Sequence, residues 1–403
     1  MLIDFTVENY RSFREQVSLR MEATSIKELR ESVITKDDYK LLPVAVIYGA
    51  NSSGKSNVLK TMAEMGHLVM TSSKMNPDES LHYEPFMLDT DSRNKPTSFE
   101  VQFLAGQAKY RYGFSYDKQH IISEYLFVVP FGKHTEKQLF IRAEDEYEIS
   151  DKDFSEGIGL ESKTLDNRLF LTVAAQFNGK ISLQVMRWFS RFNAINGLER
   201  TGYEGMTLRM LTEHLKGSKE ALQFFRDTQL GFKDIKVKQD LAPETYTIHN
   251  VQNDEGKVVK EEEFLESIME SEGSKKMIEI SGPIFDSLLN GKILMIDELD
   301  AKLHPILTRR IVHLFTSPEV NKKGAQLIFN THDTNLLNVR YFRRDQIWFT
   351  EKDKHDSTDL YSLVEFVDND GRKVRNDSSF EKDYINGRYG AIPFLGGLSY
   401  GEK

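Results

Sequence analysis

The sequence predicts an α/β protein built from a mixed parallel core sheet, an antiparallel β meander and a helical lobe. Three observations lead there. First, Leu41-Leu42-Pro43-Val44-Ala45-Val46-Ile47-Tyr48 is a continuous apolar run ending in a Gly-rich turn, the pattern of a strand buried on both faces. It is followed by Val58, Leu59, Met62 and Met65 at helical spacing. Second, residues 97–145 alternate or are aromatic-rich between turn residues, as in Phe99–Phe103, Tyr110–Phe114 and Glu124–Val129, which predicts an antiparallel meander. Third, residues 181–230 read as helical, with Leu183, Val185, Met186, Phe189 and Phe192 at a 3.6-residue period.

The remaining elements follow in order. Asp254-Glu255-Gly256 separates two β-compatible runs, Tyr246–Val251 and Lys257–Val259, and predicts a hairpin. From Met277 the pattern is helical again, and Gly282-Pro283 should kink or break that helix. Ile293–Ile296 and Leu327–Phe329 are short buried strands ending in polar residues; Asp345–Phe349 and Tyr361–Phe366 resemble closing strands. The chain of 403 residues has 39% hydrophobic and 11% aromatic residues, enough for two or three cored lobes and too many for disorder. There is no cysteine, which excludes disulfides, thiolate metal sites and a cysteine nucleophile. The net charge of −9 disfavours non-specific nucleic-acid binding. No apolar run has the length of a membrane span, and Met1–Phe5 lacks a basic leader, so a soluble cytoplasmic protein is expected.

The chemistry concentrates in three places. Gly49-Ala50-Asn51-Ser52-Ser53-Gly54-Lys55-Ser56, followed by Asn57, fits GxxxxGK[ST] between a buried strand and an amphipathic helix. In such a loop the backbone N–H groups and the helix N-terminus face phosphate oxygens. Lys55 reaches the β- and γ-phosphates of ATP, and the Ser56 hydroxyl is suited to Mg2+. Ile293–Ile296 then delivers Asp297 and Glu298, a Walker B pattern in which Asp297 holds Mg2+ through water and Glu298 serves as general base. Finally, His332 in Phe329-Asn330-Thr331-His332-Asp333 ends a core strand, where it is placed to sense a γ-phosphate.

These motifs in this order, with Ser271-Glu272-Gly273-Ser274 before the Walker B strand, resemble the head domain of ABC-type ATPases. The opening Val7-Glu8-Asn9-Tyr10-Arg11-Ser12-Phe13 is similar to the SMC, RecF and OLD branch. Within it the chain looks like the RloA/AriA-type ATPases of anti-phage loci, through Tyr83–Phe86, Ile122–Leu126, Val173–Asn178, Glu298–Asp300, Leu303–Pro305 and Tyr389–Pro393. The resemblance implies three lobes: 1–178 with Walker A and the meander, 179–290 with a β-ribbon and signature motif, and 291–403 with Walker B, D-loop and switch histidine. It implies that Ser271, Gly273 and Ser274 are signature residues, Asp300 the D-loop residue and His332 the switch histidine. Gln176 reads either as a Q-loop ligand of Mg2+ or as a helix-surface glutamine; Arg11 either approaches the phosphates or is an exposed turn arginine.

Glu270 and Glu272 depart from the transporter signature, which opens with Leu and has two successive glycines. Acidic groups there would repel a triphosphate unless they point away, which predicts slow turnover. The resemblance implies a head-to-tail dimer around two ATP molecules that serves as sensor or scaffold of a defence module, with a separate effector such as a Toprim-like nuclease. No long coiled coil is found between the halves, and Asp368-x-Asp370 reads as a hairpin turn, not a nuclease pair. A RecF-like DNA-repair ATPase is the alternative, supported only by Arg187, Arg191 and Arg200. A nucleotide-gated inhibitor that holds a toxin inactive is a third reading.

Overall fold

The computed structural model describes residues 1–196, 203–228, 230–239, 243–368, 371–375 and 378–393. The chain divides into two compact units, Met1–Phe192 with Thr334–Lys403, and Asn193–Asp333.

The first unit begins with β1 (Leu2–Glu8), β2 (Val17–Arg20), a small hairpin of β3 (Ile34–Lys36) and β4 (Tyr39–Leu41), and then β5 (Val44–Gly49) and α1 (Lys55–Thr71). The expected strand from Leu41 is thus two elements. Leu41 ends β4, and Pro43, which has no N–H to give a ladder, stands between it and β5. The meander follows as β6 (Thr97–Ala105), β7 (Ala108–Tyr116), β8 (Ile121–Pro130), β9 (Lys137–Ala143) and β10 (Glu146–Ile149). With β1 and β2 it makes one antiparallel seven-stranded sheet in the order β10-β9-β8-β7-β6-β1-β2. Alternation sets its buried face: Phe99 meets the rings of Phe5, Tyr10, Phe114 and Tyr116. Two helices close this stretch, α2 (Phe170–Gln176) and α3 (Lys180–Phe189). The buried face of α3 is Ser182, Val185, Trp188 and Phe189, which keeps Val185 and Phe189 of the expected face; Leu183 and Met186 are half-buried, and Phe192 lies past the helix end. The deciding residue is Trp188, whose ring stacks on Phe103 at 4.0 Å and turns the helix toward the meander.

The second unit contains β11 (Phe192–Asn196), α4 (Tyr203–Thr212), α5 (Ser218–Asp227), β12 (Asp234–Gln239), β13 (Pro243–Gln252), β14 (Val258–Leu265), α6 (Glu266–Met269), α7 (Glu272–Asn290), β15 (Ile293–Asp297), α8 (Pro305–Thr316) and β16 (Gln326–Asn330). The predicted hairpin is β13–β14, and β12 adds a third strand that sequence did not suggest. β15 runs parallel to β16, with Ile293 beside Gln326 and Ile296 beside Phe329, and β11 flanks β15. This register puts Asp297 and Asn330 next to each other at the C-terminal ends of the two strands.

α7 runs unbroken through Gly282-Pro283, against expectation. Proline removes the N–H that would bond the carbonyl four residues back, that of Glu279. Here the Thr207 hydroxyl from α4 donates to that carbonyl at 3.2 Å and accepts from the Gly282 N–H at 2.8 Å. Gly282 permits the approach, because a Cβ there would lie 2.8 Å from the Thr207 backbone. The helix therefore keeps its hydrogen-bond balance across the proline.

The chain then returns to the first unit with β17 (Ile347–Lys352), β18 (Thr358–Ser362) and α9 (Phe380–Ile385). β17 runs parallel to β5, with Thr350 beside Gly49, and β18 runs antiparallel to β17. Beyond them Gly371 N–H donates to the Asp368 carbonyl and Asp368 N–H to that of Arg372, a turn as expected; Asn369 and Asp370 lie outside the described residues. Parallel strands carrying the motifs, an antiparallel meander and a helical region make up the α/β class that was predicted. Among the described residues no helix is long and apolar enough to cross a membrane.

Candidate nucleotide-binding site

In the first unit the loop Gly49–Lys55 joins β5 to α1. Two residues hold left-handed backbone, Ser52 at φ 65° and Gly54 at φ 107°. Gly54 is required twice over: its φ is strained for any side chain, and a Cβ there would overlap the Thr358 hydroxyl. The Lys55 ammonium is buried and turns back across the loop to donate to the carbonyls of Gly49 at 2.8 Å and Ala50 at 2.9 Å. Asn51 and Ser52 are exposed, whereas Ser53 is buried. Ser56 is the second residue of α1, whose 17 residues begin at Lys55, so the first N–H groups of a full-length helix lie beside a lysine and a hydroxyl. That donor set fits a triphosphate with Mg2+: cationic, hydroxylic and rich in backbone N–H.

Three residues that sequence reasoning passed over hold the loop in shape. The Ser53 hydroxyl lies 2.6 Å from that of Thr350 on β17. Thr358 on β18 donates its hydroxyl to the Ser53 carbonyl at 2.9 Å. Ser12 accepts from the Asn57 amide at 2.8 Å on its hydroxyl and from the Thr358 N–H at 2.7 Å on its carbonyl. The opening Asn-aromatic-Arg-Ser-Phe segment is thus a buttress of the loop. Its Asn9, at φ 51°, staples the neighbouring segment by donating to the Ser92 and Lys95 carbonyls and accepting from the Phe86 N–H. Arg11 pairs with Glu84 at 2.5 Å and lies over the Tyr10 ring. Gln176, at the exposed C-terminal end of α2, donates to the Ser73 carbonyl at 3.4 Å. The N-terminus of α2 is held by Glu124, fully buried, which accepts from the N–H groups of Phe170 at 2.6 Å and Leu171 at 3.0 Å and from the Tyr112 hydroxyl at 2.9 Å. Burial pushes the Glu124 carboxyl up, against the pull of the Arg142 charge.

In the second unit the strand-end residues form one network. Asp297 ends β15; Glu298 follows in left-handed backbone at φ 54°, uncommon for a residue with a side chain. The Glu298 N–H donates to Asn330 Oδ1 at 2.6 Å, the Asn330 amide donates to Asp297 Oδ1, and Leu299 N–H donates to the Asn330 carbonyl at 3.2 Å. The Asp300 carboxylate accepts from the His332 N–H at 3.3 Å, with the His332 side chain exposed. Asp297 and Glu298 are therefore tied together by Asn330, which was not among the sequence candidates, and Asp300 and His332 meet in a separate contact. The one signal for Asn330 was position: a polar residue closing the apolar run Leu327–Phe329.

Ser271 is the N-cap of α7. Its hydroxyl accepts from the Ser274 N–H at 3.1 Å, and the Ser274 hydroxyl lies 3.0 Å from it. Gly273 sits against the segment after Asp300, where a Cβ would be 3.2 Å from the Lys302 carbonyl. The two acidic residues that raised the prospect of repulsion are both engaged. Glu270 turns into its own unit, within 2.7 Å of His249 Nε2 and 2.6 Å of the Thr247 hydroxyl. Glu272 pairs with Lys302 at 2.9 Å and Lys275 at 3.2 Å, and these lysines hold its carboxyl below the usual range.

A family model described as "AAA domain, putative AbiEii toxin, Type IV TA system" matches residues 44–338, which include the Gly49–Lys55 loop, the α7 N-terminus, Asp297-Glu298 and His332. The chain belongs to this family. Its AAA domain indicates an ATPase in general terms, the class of protein that uses nucleotide with Mg2+. No curated protein matches the chain. Among solved structures it is similar to the SMC head domain from Thermotoga maritima, at 12% identity and TM-score 0.41, covering 90% of this chain and 98% of that one. An SMC head bound to the C-winged helix domain of ScpA gives 12% identity and TM-score 0.41, covering 90% and 97%.

Proposed function

We propose that this protein binds MgATP at Gly49–Asn57, closes head-to-tail with a second copy, hydrolyses ATP slowly, and acts as sensor or scaffold of a bacterial anti-phage module of the RloA/AriA type. The observation that carries the reading is the loop itself: a buttressed left-handed turn with the Lys55 ammonium laid across it at a helix start. Lys55, the backbone of Asn51–Gly54 and Ser56 hold the phosphates. Ser56 and Gln176 in the first unit and Asp297 in the second are the residues that would serve as metal ligands, and the metal would supply charge neutralisation of the phosphates. Glu298 would accept the proton of the attacking water, and His332 would be the residue that senses the γ-phosphate.

The N-capped Ser271 and the start of α7 suit an anionic group from another subunit, since a helix N-terminus attracts phosphate. With Glu270 and Glu272 paired inside their own unit, the acidic signature is less repulsive than its sequence implies. In this reading the cytoplasm is the working compartment, and the effector is a separate protein. Light scattering of Glu298→Gln in excess MgATP tests the proposal: a stable dimer is expected, and a monomer overturns it. Lys55→Ala should abolish nucleotide binding.

The family's description as a toxin of a toxin–antitoxin system favours a second reading, in which this chain is the toxic component. Expression of the chain alone distinguishes the two. Growth arrest without any neighbouring gene product supports the toxin; arrest only with it supports control of an effector.

A further inference from the structure

We propose that Asn330 is a positioning residue of the hydrolytic site, which aims the Asp297 carboxylate at the metal and holds Glu298 in the backbone conformation its role requires. This rests on the MgATP reading above. Asn330 is fully buried at the end of β16, a place where an apolar residue would continue the run Leu327–Phe329 at lower desolvation cost. Its amide is used at both ends. The Nδ2 donates to Asp297, so one carboxylate oxygen is oriented by protein. The Oδ1 accepts the Glu298 N–H at 2.6 Å, at the residue whose φ of 54° is disfavoured for glutamate.

The chemistry of the two neighbours allows one orientation: a carboxylate needs a donor and a backbone N–H needs an acceptor, so only an amide of this length serves both. Aspartate would meet Asp297 with like charge, and leucine would satisfy neither. The Asn330 carbonyl also accepts the Leu299 N–H, so the whole turn 297–299 is referenced to β16. The same strand leads, two residues on, to His332, whose N–H is held by Asp300. Asn330 thus ties the metal ligand, the general base and the histidine strand to one rigid point, the kind of support that outer-shell groups give metal ligands.

The test is the pair Asn330→Leu and Asn330→Ser, with Mn2+ and a non-hydrolysable ATP analogue as probes. Free Mn2+ is counted by electron paramagnetic resonance, and binding of a fluorescent ATP analogue is measured separately in EDTA. Both variants should bind Mn2+ about 10–100-fold more weakly, the usual effect of losing an outer-shell partner. Metal-free nucleotide binding should stay within about twofold, since the phosphate loop carries it. In steady state KM for MgATP should rise in step with the loss of metal affinity, because metal-free nucleotide binding is unchanged, and kcat at saturating MgATP should fall by about tenfold or more as Glu298 loses its support. Asn330→Ser carries the same test if the leucine variant does not fold. Equal Mn2+ affinity in wild type and variants overturns the proposal, as does an equal loss of metal-free and metal-dependent binding, which marks a purely structural role. Wild-type protein that binds no nucleotide with Mn2+ overturns the MgATP reading instead.

Discussion

Single side chains in this protein settle questions that patterns leave open. Pro283 should have broken its helix, and the Thr207 hydroxyl prevents it by taking the Glu279 carbonyl and the Gly282 N–H together. Thr207→Val keeps the shape and removes both bonds, leaving two buried backbone groups unsatisfied. It should destabilise the protein by about 2–4 kcal/mol, at 1–3 kcal/mol per orphaned group with partial relaxation, read as a lower urea midpoint. Thr207→Ser should cost far less. A valine variant as stable as wild type would mean that the proline is tolerated by other means. Asp4 makes a different point. Burial pushes its carboxyl up to about 6 from the ordinary 3.8, in spite of Thr6 and Arg20. An acid with a raised folded pKa binds its proton more tightly when native, so its contribution is complete below about pH 4 and is lost as pH rises through about 6. Asp4→Asn should therefore be more stable than wild type at pH 8, by about 1–2 kcal/mol, with the gap closing at pH 4. Thermal melts across that range decide it; a gap that widens on acidification has the wrong sign.

At the scale of elements, what was legible followed from periodicity and what was missed followed from contacts between elements. The meander announced itself because alternation, aromatic content and turn residues agree at Phe99–Phe103 and Tyr110–Phe114. The face of α3 is legible at Val185 and Phe189 and shifted elsewhere, because Trp188, a single large ring over Phe103, outweighs three smaller apolar residues. β12 was missed because Ile235 and Val237 are too few to mark a strand until β13 pairs with them. The start of α2 has no capping residue of its own, since Leu169 is its N-cap; the cap comes from Glu124 on β8, 46 residues away from Phe170. Glu124→Gln tests how much depends on that. Glutamine offers one acceptor oxygen where two N–H groups and a tyrosine hydroxyl converge, and turns a donor toward them. A loss of about 3–5 kcal/mol is expected, in the range for breaking a buried charged network. Hydrogen exchange should report faster opening of Phe170–Gln176 than of α1. Uniform acceleration in both helices would show that Glu124 supports the unit and not the helix.

For the whole molecule, the loop Gly49–Ser56, the pair Asp297-Glu298 and His332 could be nominated from sequence because phosphate chemistry tolerates few residue types at few spacings. Their supports, Ser12, Thr350, Thr358 and Asn330, were not, because any short polar side chain looks alike until the fold brings it to a strand end. The signature was ambiguous for the same reason: Glu270 and Glu272 look hostile to phosphate until His249, Thr247, Lys275 and Lys302 are seen beside them. For assembly the consequence is specific. If each nucleotide lies between the Lys55 loop of one copy and the Ser271–Ser274 helix start of the other, the two functions can be lost on separate chains. Lys55→Ala spoils the loop, and Gly273→Arg should spare nucleotide binding while abolishing closure, because its side chain occupies the surface beside the N-cap. Each variant alone should be inactive. Neither variant closes with itself, so in an equal mixture the closed dimers are heterodimers with one sound composite site of two, and up to about half of wild-type ATPase should return. The recovery should be absent at high dilution, where dimers dissociate. A mixture as inactive as its components, at concentrations where light scattering shows wild-type dimers in MgATP, would mean that α7 does not complete the partner's site and that each chain holds its nucleotide alone.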